Sequence, residues 1–234
     1  MTERDKILTR VREALKNPAP LPGSHHISAR VPPANPGAAG SAAPPSPRAW
    51  LPEVGESFDA QLALFAKNTA ELKADFQIYN SADEARHALA RLSKAEHWEK
   101  AACHSGGLTD AFCPALDLPL LRTDRTYDVH ALEACDVGIS ECDALVAQTG
   151  SVLVTNRSAG GRALSVLPPH HVVLARREQL VADLPAAFEL LQQRYAENYP
   201  TMISFITGPS RTGDIERILV LGAHGPKKLT ILCF

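Results

Sequence analysis

The chain has 234 residues, 45% hydrophobic and 21% charged, with a formal charge of 24 − 26 = −2. At ~150 residues per domain this is about one and a half domains, with enough apolar material for a core, so whole-chain disorder is excluded. The balanced charge lacks the basic field that nucleic-acid binding needs, and no run reaches the ~18–20 apolar residues of a membrane span.

The N-terminus, Met1-Thr2-Glu3-Arg4-Asp5-Lys6, is charged and no apolar run follows it. A secretory signal is not expected, and the cytoplasm is the expected compartment. Residues 1–16 form the first predicted unit, a helix over 2–16 with Ile7, Leu8, Val11 and Leu15 on one stripe and Thr2 and Asp5 at its start. Residues 17–50 hold nine of the 18 prolines and eight alanines, and are read as a Pro/Ala-rich flexible linker. His25-His26 within it has no further metal ligand near in sequence.

Residues 51–234 form the predicted α/β domain. Leu62, Phe65, Thr69 and Leu72 mark a helix face with Ser57 as N-cap. Phe76 to Tyr79 reads as a strand, and Ser81 with Glu84 as the capping box of a helix that turns Ala85, Leu89 and Leu92 inward. Ala101 to Ser105, Leu118 to Arg122 and Asp136 to Ser140 are further strands, an alternation that predicts a largely parallel sheet. Ala144–Ala147 and Ser151–Val154 flank Gln148-Thr149-Gly150 as a buried hairpin, with Gly150 in the left-handed position. His171 to Ala175, Met202 to Thr207 and Leu229 to Cys233 complete the strands. Asp183 caps a helix whose inward face is read as Leu184, Phe188, Leu191 and Tyr195.

The densest candidate for chemistry is Thr207-Gly208-Pro209-Ser210-Arg211-Thr212-Gly213-Asp214-Ile215-Glu216, which follows a strand and is read as opening a short helix. Bare amides there, the Ser210 and Thr212 hydroxyls and the Arg211 guanidinium suit a carboxylate or phosphate; a capped turn in which Arg211 pairs with Asp214 or Glu216 is an equal reading. The stretch is not a P-loop, because Asp214 and Ile215 replace the Lys-Ser/Thr pair, nor a serine-hydrolase elbow, because Thr212 replaces the last glycine. His224, in the turn Gly222-Ala223-His224-Gly225-Pro226, is a candidate acid, base or donor to an anion. Glu141 and Asp143 follow a strand end and are candidate bases or nucleophiles, or turn caps. Arg162 after Gly160-Gly161 is a candidate anion ligand, or part of a surface loop. His170 and His171 begin a strand, point to opposite faces and cannot share a metal, so none is expected. The five cysteines contain no C-x-x-C, so no cluster or zinc cradle is expected in this chain.

Asp143-Ala144 through Ala147-Gln148-Thr149-Gly150-Ser151, Leu167-Pro168-Pro169-His170-His171, Thr207 to Glu216 and Gly222-Ala223-His224-Gly225-Pro226 together resemble the lactate utilization protein C family, which is built on the LUD domain. The resemblance covers roughly residues 55–234, with Gly213 where the family usually has alanine. It implies a three-layer α/β sandwich of the NagB/RpiA/CoA-transferase-like kind with a Rossmann-like core. It also implies work alongside two iron–sulfur companion proteins in oxidising L-lactate to pyruvate. Clusters would then reside in those partners, with no cofactor in this chain. The resemblance supports a site near Thr149, Gly150, Ser210, Arg211, Thr212, Asp214 and His224; Ser151, Gly208 and Arg162 join it as candidate ligand residues, and Glu141 as a candidate catalytic one. The alternatives are a free-standing enzyme acting on a phosphorylated, CoA-linked or folate-type substrate, with Glu141 as first nucleophile or base, and a non-catalytic module that binds an organic acid.

Overall fold

A computed structural model describes Thr9, Glu13 and residues 53–124, 126–212 and 220–234. The chain divides into two units, Met1–Ser46 and Pro47–Phe234. Thr9 and Glu13 are helical. The remainder of the expected N-terminal helix, the linker 17–50, the domain's start at 51–52, and Gly213 to Glu216 of the candidate loop lie outside the described residues.

Twelve strands and five α-helices are described in the second unit. The strands are β1 Asp75–Ile78, β2 Ala101–Cys103, β3 Leu120–Arg122, β4 Val137–Glu141, β5 Ala144–Val146, β6 Ser151–Thr155, β7 His170–Ala175, β8 Leu180–Val181, β9 Ile203–Ile206, β10 Arg211–Thr212, β11 Val220–Leu221 and β12 Lys228–Cys233. The helices are α1 Phe58–Glu71, α2 Ala82–Ala95, α3 Gly107–Phe112, α4 Val129–Glu133 and α5 Leu184–Tyr195.

Six strands make a wholly parallel sheet in the order β1-β12-β7-β4-β2-β3. Its middle strands are short apolar runs buried on both faces, as a covered parallel sheet requires. One face packs on α2 and α3 through Leu89, Phe112, Ile139, Val172 and Leu232. The other packs on α1 and on a second sheet, β8-β5-β6-β9, through Phe65, Leu145, Val152, Val173 and Ile231. The outer face of that second sheet carries α5 on Ala187, Leu191 and Tyr195.

Local chemistry starts the helices as the sequence predicts. Ser57 Oγ accepts from Ala60 N, Ser81 Oγ from Glu84 N and Asp183 Oδ1 from Ala186 N. Glu84 completes its half of the box one residue early, accepting from Asn80 N at 3.1 Å. The hairpin forms with Gly150 at φ +64°, buried on both faces, and Val146 pairs with Ser151, so four residues rather than three lie between its strands.

Two sequence expectations are corrected. Phe188 does not face inward but is 57% exposed, because α5 seats on Ala187, Leu191 and Tyr195. No helix opens at Arg211: Arg211 and Thr212 form β10, paired antiparallel with Leu221 and Val220 of β11.

Candidate functional site at the amino edge of the parallel sheet

The strand order reverses between β2 and β4, since β3 lies outside β2 while β7 and β12 continue on the other side of β4. In open α/β sheets the crevice at the carboxyl ends of such a strand pair is the usual ligand site. Here the protein fills it. Glu141 Oε1, at the end of β4, accepts from Leu108 N at 2.7 Å and Thr109 N at 3.1 Å. Those amides open α3, whose own N-cap residue, Gly106, supplies no side chain. Glu141 is therefore the cap of α3, delivered from a neighbouring strand. A Cβ at Gly106 would lie 2.2 Å from that oxygen, which explains the glycine.

His104 completes the plug. Its Nε2 accepts from Glu141 N at 3.3 Å, so the proton sits on Nδ1, 3.0 Å from Ser105 O. Arg122 Nη1 ties the His104 carbonyl to Asp110. Gly160, at φ +61°, packs directly on His104, and exposed Arg162 stands two residues beyond it. His104 was not among the sequence candidates; its signal, a histidine between a strand end and Gly106-Gly107, needs the strand order to be recognised.

Asp143 is also structural. Buried between the second sheet and α5, it accepts from Tyr195 Oη at 2.6 Å, Arg194 Nη1 at 2.9 Å and Ser158 Oγ at 2.6 Å. Burial pushes the Tyr195 hydroxyl above its usual value, and the bond to Asp143 adds to this.

The remaining candidates gather elsewhere. Gly150 and Gly208 meet the end of α1, and the buried Thr149 hydroxyl has no hydrogen-bond partner among the described residues. Asn68 Nδ2 donates to the Ala147 and Gln148 carbonyls, and a Cβ on Gly150 would come within 3.0 Å of Thr69 N. Gly208, at φ +84°, lies against Leu72 O, and the Ser151 and Thr207 hydroxyls share a bond of 2.7 Å. These residues dock a helix onto the hairpin. Ser210 braces the closing turn: its N–H donates to Pro226 O at 2.8 Å and its carbonyl accepts from Gly222 N at 3.0 Å. The Ser210 amide is thus committed to the protein, and Arg211 is exposed on the β10–β11 ribbon. Asp214 lies outside the described residues.

His224 lines an open groove of about 350 Å³. It is lined by the turn Gly222–Gly225 with Lys227, by Val166, Leu167 and Pro169, and by Glu133 of α4. Lys227 N and Lys228 N both donate to Pro169 O, which fixes the two segments together. An adjoining hollow of about 180 Å³ shares Pro169 and Lys227 and is lined further by Glu96, Trp98, Asp136, His170 and Lys228. Two of the four sequence stretches, Leu167–His171 and Gly222–Pro226, therefore converge on one groove.

This groove is at the amino ends of the strands. Glu141 pairs with Leu174, four residues along β7 from His170, or about 13 Å at roughly 3.3 Å per residue. Glu141 and His224 thus belong to opposite edges of the sheet. The strand histidines diverge as their alternation requires: His170 Nε2 bonds Thr230 Oγ1 and its ring meets Trp98 edge-on, while His171 Nε2 bonds Ser140 Oγ on the other face. Burial drives His170 down to about 4 and His171 down to about 3, so both are neutral at pH 7. The five cysteines are buried free thiols, and among the described residues no helix is long and apolar enough to cross a membrane.

The family model of the LUD domain matches residues 62–233. The chain belongs to the LUD domain family. Among relatives, the LUD chain is 35% identical over 105 residues to "Lactate utilization protein C 1" of Bacillus mycoides (strain KBAB4), covering 44% of this chain and 45% of that protein. It is 36% identical over 106 residues to "Lactate utilization protein C" of Shouchella clausii (strain KSM-K16), covering 45% and 46%. The matched part is thus less than half of each curated relative. The crystal structure of a DUF162 family protein from Deinococcus radiodurans superposes with a TM-score of 0.61 at 21% identity, over 76% of this chain and 99% of that one. It shares the α/β fold of the LUD chain.

Proposed function

We propose that the chain works in lactate utilization as the subunit that carries no iron–sulfur cluster, in the cytoplasm, beside two cluster-bearing companions that oxidise L-lactate to pyruvate. The observation that carries this reading is the likeness to proteins named lactate utilization protein C, within a family match that runs from residue 62 to residue 233. The amino-edge groove is its binding site for a small organic anion, lined by His224 and the glycine turn and by Leu167 and Pro169. The free-standing enzyme reading is disfavoured, because its first nucleophile, Glu141, is bonded to two helix amides. The cysteines support a division of labour in which electrons travel through the partners, since they contain no C-x-x-C.

Two measurements test the proposal. Deletion of the gene is expected to abolish growth on L-lactate while leaving growth on glucose intact. Affinity capture of the full chain from lactate-grown cells is expected to bring proteins with the broad visible absorption of iron–sulfur clusters. Normal growth on lactate after deletion removes the functional assignment.

A further inference from the structure

We propose that Lys227 is the cation that holds the anion in the amino-edge groove, that Gly222 positions it, and that the ligand class is a monocarboxylate. This rests on the reading of the groove as an anion site given above. The nearby cations differ in what they already hold. The Lys228 ammonium is bonded to Glu96 at 2.5 Å. Arg211 and Lys227 are both exposed, but Arg211 lies on the β10–β11 ribbon and does not line the groove. Lys227 lines both the groove and the adjoining hollow, and its ammonium has no hydrogen bond or ion pair among the described residues.

Its stem is held in place. A Cβ on Gly222 would fall 2.3 Å from Lys227 Cγ, 3.1 Å from Cε and 3.2 Å from Cδ, so the whole aliphatic chain lies across the bare backbone of the glycine. Gly222 also sits at φ +76°, which side-chain-bearing residues rarely adopt. The Lys227 backbone is anchored in turn by its N–H bond to Pro169 O at 2.8 Å. A lysine whose stem is packed before binding loses less freedom when it meets a ligand.

The charge and size of the groove point to the ligand class. Among the described residues one ammonium and one carboxylate, Glu133, line it, together with His224. A monoanion pairs with Lys227, whereas a second negative charge meets Glu133 at like sign. Val166, Leu167 and Pro169 offer an apolar wall to a short alkyl group. The volume of about 350 Å³ equals roughly twelve water molecules at ~30 Å³ each, so the groove selects by charge more than by length of the acid.

The test is isothermal titration of the full chain with L-lactate and, separately, with inorganic phosphate. The wild type is expected to bind L-lactate more tightly than phosphate. Lys227→Met keeps the stem and removes the charge, and is expected to weaken L-lactate binding by about tenfold or more, the scale of a lost bond to a charged group. Gly222→Ala is expected to weaken it similarly with an unchanged circular dichroism spectrum, and Arg211→Gln by less than about twofold, as an exposed residue outside the groove. Wild-type affinity in Lys227→Met overturns this inference and leaves the anion site standing. Tighter binding of phosphate overturns the monocarboxylate class. No binding of either anion by the wild type overturns the site itself.

Discussion

Glu141 offers a direct contest between cap and nucleophile. Its Oε1 takes the Leu108 and Thr109 amides at 2.7 and 3.1 Å, with a longer contact of 3.4 Å to the Thr109 hydroxyl. Glu141→Ala removes the cap, worth ~0.5–2 kcal/mol, and leaves the buried Leu108 amide without its acceptor, worth ~1–3 kcal/mol. These overlap, so the expected cost is about 2–3 kcal/mol. Glu141→Gln keeps a carbonyl oxygen for the same amides and loses only the charge assistance, about 1 kcal/mol. Urea unfolding followed by circular dichroism reads both, with the midpoint falling and the slope unchanged. For a unit of this size each kcal/mol corresponds to roughly 2–4 °C in melting temperature. Growth on L-lactate should survive Glu141→Gln. If the Gln variant is as stable as wild type and fails to support that growth, Glu141 acts chemically and the cap account is wrong.

Three further outcomes follow from the packing. Gly106→Ala drives a Cβ to 2.2 Å from Glu141 Oε1 and 2.9 Å from His104 Cε1 and should cost about 1–3 kcal/mol; a double-mutant cycle with Glu141→Ala should recover part of that penalty, the contact with His104 remaining. Phe65→Ala, deep between sheet and helix and edge-on to Phe76, should cost ~3–5 kcal/mol in denaturant melts, while Phe188→Ala on the exposed face of α5 should stay within about 1 kcal/mol. His170 and His171 have folded values of about 4 and about 3 against ~6.5 unfolded, so the unfolded chain binds their protons first. Their contribution is complete above pH 6.5 and is lost as pH falls toward 4; between pH 7 and pH 5 each should remove about 2 kcal/mol, and His171→Gln should flatten that slope.

The elements were legible wherever one short-range signal decides them. Apolar runs bounded by glycine, proline or aspartate marked the strands of the parallel sheet to within two residues at each end, because a strand buried on both faces needs no partner to be recognised. The inward face of α5 is not legible from its large apolar residues, because the helix seats on Ala187, the small residue that lets it approach Ala144 and Val146. Strand order was not legible at all. Nothing in Lys228–Cys233 says that it inserts between β1 and β7, since that pairing links residues more than 50 positions apart. The candidate site suffered from this. Gly208, Ser210 and Arg211 of one loop and His224 of the following turn read as a single site, whereas they support α1, the closing turn, a ribbon and the groove respectively.

The position of the groove follows from that insertion. A strand that joins a parallel sheet in its interior must enter from the amino edge, so the chain before β12 has to cross that edge beside the segment that enters β7. The two entry segments meet where Pro169 O accepts from Lys227 N and Lys228 N. Neither can continue as a strand at that point: Pro168 and Pro169 lack amide donors, and Gly222 turns the chain at φ +76°. Two irregular segments clamped by one carbonyl leave space between them, and that space is the groove. At the carboxyl edge the chain leaves β2 and β4 into α3 and the Glu141 cap, which close the crevice with side chains. The same topology that seals the customary site for this class of sheet therefore opens one at the opposite end, and places Lys227, rather than the more conspicuous Arg211, at its wall.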